Sequence, residues 1–366
     1  MTAWLARGPA GATPLAGVRV LDFSELLPGP FMTQSMAELG ADVLKIERPP
    51  HGDPVRRSAP SLYAAVNRDK RSHFADLKEA SARDAVLALA DEADVLVESY
   101  RPGVLERLGL GWAAMQARNP LLVYVSLSGY GADGPWAQRP GHDLNYLASA
   151  GIVALAAKDA APSPSFGVPI ADISGAIYAL AAVNAALFQR VHTGRGQRLD
   201  VSLAESSLHG INPRLAMFHQ LEAQTLAQQR DIAQRRPGYG TFACRDGVWL
   251  TIGALEDHFW QALVQVLGLS DFAGDAYRAY AQRHAGSTAI NGAIVAALAR
   301  RDSDNVLAAL VAADVPAEAV CAPYDLPQHP QWAARRLFIE TPGGPQVRFP
   351  VQMEGTTWRG DLAKAG

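Results

Sequence analysis

Val18-Arg-Val-Leu-Asp-Phe23, then Pro28-Gly29-Pro30, then Asp42-Val-Leu-Lys-Ile46 decide the fold of this chain. The first and last are short apolar runs of strand length. Between them the Pro-Gly-Pro step opens an apolar stretch of helical period, which Gly40 can terminate. Strand, helix and strand in close succession make a βαβ unit, and such a crossover leaves its strands parallel. The alternation continues. A helix is expected over Ala80 to Asp91, a strand at Asp94-Val-Leu-Val97, a short helix after Arg101-Pro102-Gly103, and a strand at Leu121-Leu-Val-Tyr-Val125. An α/β layer with a parallel sheet is therefore predicted. After the first strand the chain reads Ser24-Glu-Leu-Leu-Pro-Gly-Pro30, not GxGxxG, so a dinucleotide cradle has no support.

Further along, the longest apolar stretch, Ala176 to Phe188, is interrupted by Asn184 and falls short of the ~20 residues that span a bilayer. It reads as a buried helix, and no membrane segment is expected. Thr193-Gly-Arg-Gly-Gln197 is glycine punctuation that could stop this helix or cradle an anion, and Arg198-Leu-Asp-Val-Ser-Leu203 follows as a strand-then-helix passage. At 366 residues the chain exceeds the roughly 100–200 expected of one domain. A polar, Gln/Arg-rich passage marks a linker at 221–237, dividing a large domain at 1–220 from a smaller one at 238–329. The strand Val248-Trp-Leu-Thr-Ile252 and the helices around Phe259–Leu267, Ala289–Arg300 and Asp304–Ala313 give the smaller domain an α+β character. The segment 330–366, rich in Arg, Pro and Gly, is expected to return to the large domain.

Composition excludes several classes of function. Against 36 acidic side chains stand 33 basic ones, a net charge of −3, which argues against a dedicated nucleic-acid binder while allowing a local cationic patch for an anionic small molecule. Cys244 and Cys321 are too few for a disulfide framework and lie in no zinc-binding pattern, which suits a reducing cytoplasm. Met1 to Ala16 is broken by Arg7, Gly8, Pro9, Gly11 and Pro14 and reads as a tail leading into the first strand. No HExxH occurs, and Val125-Ser-Leu-Ser-Gly129 is not a nucleophile elbow, so no metal site and no serine hydrolase are expected.

Proton chemistry has better candidates. Gly141-His142-Asp143 sets an imidazole beside a carboxylate, and Asp172 and Glu256 follow as isolated acids that only tertiary folding could bring to it. A histidine occupies either protonation state near neutrality, and a carboxylate becomes a useful acid or base once burial raises its pKa. Asp172 could also cap a helix beginning near Ser174, and Glu256 sits where acidic residues favour a helix N-terminus. Arg48, Lys70, Arg71 and Arg101 lie near the carboxyl ends of strands, the rim where open α/β sheets bind ligands, and suit a phosphate-bearing molecule. Tyr146, Leu147, Met217 and Phe218 are candidate lining for an apolar pocket.

Taken together, several motifs resemble the family III CoA-transferases, a group that also contains α-methylacyl-CoA racemases. They are Leu15-Ala-Gly-Val-Arg-Val-Leu-Asp22, Ala37-Glu-Leu-Gly-Ala-Asp-Val-Leu-Lys-Ile-Glu47, Asn67-Arg-Asp-Lys-Arg-Ser72, Tyr100-Arg-Pro-Gly103, Ala171-Asp172 with Gly175, and Thr193-Gly-Arg-Gly-Gln197. The resemblance covers almost the whole chain. It implies a large Rossmann-like domain, a small α+β domain and an interlocked homodimer with active sites between subunits. It further implies an acyl-CoA substrate, with coenzyme A bound as part of the thioester and no prosthetic group. By position Arg48, Lys70, Arg71 and Arg101 resemble the family's CoA-contacting residues, and Asp172 its catalytic aspartate.

Two chemistries follow from that resemblance. In transferases the aspartate attacks the thioester and passes through a mixed anhydride and an aspartyl-CoA thioester. In racemases it exchanges protons opposite the histidine of a Gly-His-Asp motif, which a glutamate of the small domain supports. Gly141-His142-Asp143 and Gly253-Ala-Leu-Glu256 match the racemase arrangement, so the expected activity is epimerisation of a 2-methylacyl-CoA through an enolate. Ile170-Ala-Asp-Ile-Ser-Gly175 and Leu199-Asp-Val-Ser-Leu203 look closer to the transferase pattern, which makes CoA transfer through Asp172 the alternative. A non-catalytic CoA-binding homologue is the third reading.

Overall fold

Strands β1 (Arg19–Asp22), β2 (Asp42–Glu47), β3 (Arg71–Phe74), β4 (Val95–Glu98), β5 (Val123–Ser128) and β6 (Arg198–Ser202) form one sheet in the order β3-β2-β1-β4-β5-β6. Every pairing in it is parallel. These positions come from a computed structural model, which describes residues 3–5, 13–156 and 165–355. Helix α1 (Pro28–Glu38) carries the crossover from β1 to β2, and Gly40 turns the chain with φ +102°. Helix α2 (Ala80–Ala90) precedes β4. Two more cover the later part of the layer: α3 (Asp143–Ser149) and α4 (Ile170–Thr193), with α5 (Leu203–Gln220) leaving β6 directly.

Side chains alternate between the faces of the sheet. Val20, Val43, Val95, Val97, Val123 and Val125 meet Met32 and Met36 of α1 and Ala176, Ala179, Val183 and Ala186 of α4 on one side. Leu21, Leu44, Leu96 and Tyr124 meet Val86 and Leu89 of α2, with Leu105 and Met115, on the other. Both faces are dry, and that is why β1, β2 and β4 appear in the sequence as nearly continuous apolar runs.

Two differences from expectation bear on function. Strand β3 occupies Arg71–Phe74, so Arg71 opens a strand where the sequence reading placed it near a strand's carboxyl end. Helix α4 spans 24 residues and not the shorter Ala176–Phe188 core, so by length and composition it could cross a bilayer. Its row of buried alanines and Val183 against the sheet marks it as the covering helix of an α/β layer.

The chain divides into two compact units, Met1–Pro213 with the chain from Pro330 onward, and Arg214–His329. The passage expected as a linker contains helix α6 (Leu226–Gln234). In the smaller unit, antiparallel strands β7 (Tyr239–Ala243), β8 (Trp249–Gly253) and β9 (Ala317–Ala319) pack with α7 (Asp257–Leu267), α8 (Ser287–Leu298) and α9 (Ser303–Ala312) around Trp260, Leu263, Ile290, Ile294 and Leu310. The hairpin β10 (Phe338–Thr341) and β11 (Gly344–Val347) belongs to the larger unit, where Arg68 donates to Gln346 Oε1 at 3.1 Å and to the Val347 carbonyl at 3.0 Å.

Candidate active site

Strand order reverses at β1, which lies between β2 and β4, and in open α/β sheets the crevice beyond such a switch point receives the ligand. Two loops leave the strands there, Ser24-Glu25-Leu26 and Ser99-Tyr100-Arg101. They are tied together and tied down. Glu25 N donates to Ser99 Oγ at 2.9 Å, Leu26 N to Asp53 Oδ1 at 3.2 Å, and Lys45 Nζ to the Ser24 carbonyl at 2.6 Å. Lys45 is buried and pairs with Asp53 at 3.1 Å, and Lys70 pairs with buried Asp22 at 3.1 Å. Burial pushes Asp22 up, but Lys70, Lys45 and the hydroxyls of Ser24 and Thr33 more than reverse it and hold its pKa at about 2. This network keeps Leu26 at φ +66°, a left-handed conformation that costs a leucine about 1–2 kcal/mol.

Two cavities meet at these loops, and Glu25 and Tyr100 line both. The smaller, about 410 Å³, carries the cations Arg48, Lys78 and Arg107. The larger, about 680 Å³, is lined by Leu26, Arg101, Ser128, Gly129, Arg139, Gly141, His142, Tyr146 and Asp172, among others. His142 and Asp172, thirty positions apart in the chain (172 − 142), therefore share one chamber.

Asp172 sits in the first turn of α4, where the helix dipole favours an anion. It does not cap that helix itself. Asp143, the first residue of α3, does so from outside: its Oδ1 accepts from Ala171 N at 2.6 Å and Asp172 N at 3.3 Å. Burial, and then the neighbouring charge of Asp143, raise the Asp172 pKa from 3.8 to about 7. His142 is the N-cap residue of α3, its backbone N–H donating to Asn145 Oδ1 at 2.9 Å, and it is an exposed residue of the chamber lining. Tyr146 backs this wall. Its hydroxyl donates to the Gly141 carbonyl at 2.6 Å, and a Cβ at Gly129 or Gly141 would fall 2.5 or 2.6 Å from its ring, so both positions need glycine. Burial, then Asp172, push the Tyr146 phenol up to about 12.

The cations expected at the site fall into two groups. Arg48 and Arg101 line the two cavities. Lys70 and Arg71 line neither and are tied into the fold. Lys70 Nζ holds Asp22, the Pro30 carbonyl and Asn67 Oδ1, and Arg71 grips Asp42 with three bonds of 2.8, 2.9 and 3.1 Å. Glu256 is the N-cap residue of α7 in the smaller unit, exposed, with its flanks held by buried Arg283, which donates to the Leu255 carbonyl at 2.7 Å and Asp257 Oδ1 at 2.8 Å. Of the apolar candidates Tyr146 lines the chamber, Leu147 is fully buried, and Met217 and Phe218 belong to the smaller unit. Sequence reading gave no role to Glu25, Leu26 or Arg139, and quoted Tyr100 only within the Tyr100-Arg-Pro-Gly103 motif. The departure from GxGxxG after β1 was the one signal pointing to the first two.

Acetyl-CoA:oxalate CoA-transferase of Acetobacter aceti is 33% identical over 353 residues, 93% of this chain and 90% of that protein. Alpha-methylacyl-CoA racemase of Homo sapiens is 32% identical over 261 residues, 70% of this chain and 68% of that protein. The crystal structure of a CAIB/BAIF family protein from Brucella suis superposes with a TM-score of 0.84 at 29% identity, covering 96% of this chain and 95% of that one. Residues 15–364 match the CoA-transferase family III model, and the chain belongs to that family of enzymes.

Proposed function

We propose that this enzyme moves coenzyme A between carboxylic acids, with Asp172 as the covalent nucleophile. The observation that carries the reading is the placement of Asp172, mostly buried in the first turn of α4, with its pKa lifted to about 7 and its side chain at the wall of the larger chamber. A carboxylate of raised pKa that is still ionised in a good fraction of molecules near neutrality is a better nucleophile than an ordinary aspartate. The 33% identity to an acetyl-CoA:oxalate CoA-transferase along 93% of the chain supports this over the racemisation that the Gly-His-Asp motif first suggested.

The steps balance without an external reagent. An Asp172 oxygen attacks the acyl-CoA carbonyl, the C–S bond breaks, and a mixed anhydride forms with release of CoA thiolate. The thiolate attacks the aspartyl carbonyl, expelling the donor carboxylate and leaving an aspartyl-CoA thioester. An acceptor carboxylate attacks that thioester to give the second anhydride and free thiolate. Thiolate attack on the acceptor's carbonyl then frees Asp172 and the new acyl-CoA. Arg48, Lys78 and Arg107 of the smaller cavity, with Arg101 at the larger, suit the phosphates of coenzyme A, whose pantetheine arm would pass Glu25 and Tyr100 to reach Asp172. Assignment of Lys70 and Arg71 to the phosphates is not kept, because each already holds a carboxylate. We place the enzyme in a reducing cytoplasm, in keeping with free Cys244 and Cys321.

Racemisation is the second reading, favoured by one observation: His142 and Asp172 line the same chamber. Two assays separate the readings. Hydroxylamine added during turnover is expected to convert Asp172 to a hydroxamate detectable by peptide mass spectrometry. Incorporation of α-deuterium from D₂O into a 2-methylacyl-CoA, abolished by His142→Ala and unaccompanied by CoA transfer, would move the conclusion to the racemase.

A further inference from the structure

Arg139 lines the chamber that holds Asp172 and His142. Its guanidinium lies 4.5 Å from the ring centroid of Trp136. Trp136 packs edge-on against Tyr130 at 5.3 Å, and Tyr130 edge-on against Tyr146 at 5.2 Å. A ladder of three aromatic rings thus runs from the wall behind Asp172 to a cation seated on its outer rung. Such stacking holds an arginine in one orientation and leaves its donors free, because the ring faces engage the plane of the guanidinium and not its edge.

Elsewhere in the larger unit, Arg56, Arg68, Arg71 and Arg190 each close on a carboxylate. Among the described residues Arg139 closes on none; the residue is exposed, and its guanidinium is seated on Trp136. A cation seated on a ring, without a carboxylate partner and in the lining of a chamber, suits an anion from outside the chain.

The charge inside the chamber says which anion. A carboxylate acceptor has to approach Asp172 with Asp143 beside it, and Glu25 contributes a further acid to the same wall. A monocarboxylate meets that repulsion alone. A second carboxylate on the same molecule, reaching Arg139, offsets it through a charge-assisted pair made only when the first is presented to Asp172.

We propose that Arg139 recognises the distal carboxylate of a dicarboxylic acid whose other carboxylate reacts at Asp172, so that dicarboxylates are the preferred acids of this enzyme. The proposal rests on the CoA-transfer reading. Trp136 is a positioning residue for it, and Arg139 a specificity-determining one.

The test measures acceptor preference with the full-length protein. Acetyl-CoA and succinyl-CoA serve as donors, glutarate and pentanoate as acceptors of equal length, and the acyl-CoA products are resolved by chromatography. Wild-type enzyme is expected to favour glutarate by about tenfold or more in kcat/KM, the value of one hydrogen-bonded ion pair. Arg139→Gln should shrink the glutarate-to-pentanoate ratio by a similar factor, with the change in KM for glutarate, and Arg139→Lys should restore part of it. Trp136→Leu, which keeps the guanidinium and removes its seat, should lower the same ratio, and it carries the test should Arg139→Gln fail to fold. A wild-type ratio near one, or an equal fall for both acceptors in the variants, overturns the role of Arg139 while leaving CoA transfer intact. Absence of product from every acid tried brings down the CoA-transfer reading and this proposal with it.

Discussion

Asp172 is held where its charge is costly. Burial, and then Asp143, raise its pKa from 3.8 to about 7. Between about pH 4 and pH 7 the native protein therefore binds more protons at this site than the unfolded chain does, and stability falls as pH rises through that window. Above it the full cost is present. Asp172→Asn keeps the shape of the side chain and removes the charge, so its melting temperature should exceed that of the wild type by a few degrees at pH 8, the gain shrinking as the pH is lowered toward 4. CoA transfer should fall by roughly a thousandfold or more in the same variant. Thermal unfolding followed across that pH range checks the first outcome. An Asn variant less stable than wild type at pH 8 would mean that the carboxylate is stabilised in the native site, contrary to the argument.

At the scale of elements, the connection from α4 to β6 shows how a motif can be read for the wrong purpose. Thr193-Gly-Arg-Gly-Gln197 left helix stop and anion cradle open, and the geometry serves the backbone. Gly194 takes the left-handed C-cap of α4 with φ +65°. Gly196 N donates to the Pro120 carbonyl at 2.8 Å, and a Cβ there would fall 1.9 Å from the Leu122 carbonyl oxygen, where backbone would have to move. Gly196→Ala should therefore cost roughly 1–3 kcal/mol of stability, seen as a lower urea midpoint at unchanged slope, with KM for acyl-CoA unaltered. A raised KM at normal stability would restore the anion reading. The same contrast explains what sequence could show. The β1, α1 and β2 pattern was legible because strands buried on both faces are apolar throughout. The short edge strand β3, Arg-Ser-His-Phe, carries no such pattern and was missed. The start of α4 was misplaced because its cap, Asp143, comes from a distant part of the chain. His142 and Asp172 could be paired only through the family resemblance, whereas the ion pairs of Lys70 with Asp22 and of Arg71 with Asp42 are invisible in a sequence, which displays charges and not the carboxylates that hold them. Leu26 and Arg139 acquire meaning only from backbone conformation and ring stacking, and neither is written in residue type.

For the whole molecule, α4 raises a question that its buried side does not answer. Ala176, Ala179, Val183 and Ala186 face the sheet, yet Ile177, Ala181, Asn184, Phe188 and Val191, spaced alternately four and three residues apart, form an outward stripe. Ile177 is 55% exposed, Phe188 69% and Val191 79%. That spacing is the seam by which one helix packs on another, and apolar residues so placed along a helix call for a covering surface. A second copy of the chain would supply one if the chain forms the homodimer that the family resemblance implies, and an interlocked pair of this kind would bury on the order of 2,000 Å² or more. Sedimentation of the wild type in detergent-free buffer should accordingly give twice the 39.0 kDa chain mass at micromolar concentration. Replacing Phe188 and Val191 together by arginine should shift the equilibrium to monomer, because desolvating two cations in an apolar seam opposes association. Activity per chain should fall with the dimer fraction if each site needs both subunits. A wild type that stays monomeric at tens of micromolar and retains full CoA transfer would show that the stripe is covered by something other than a second copy, and that the chamber around Asp172 is complete within one chain.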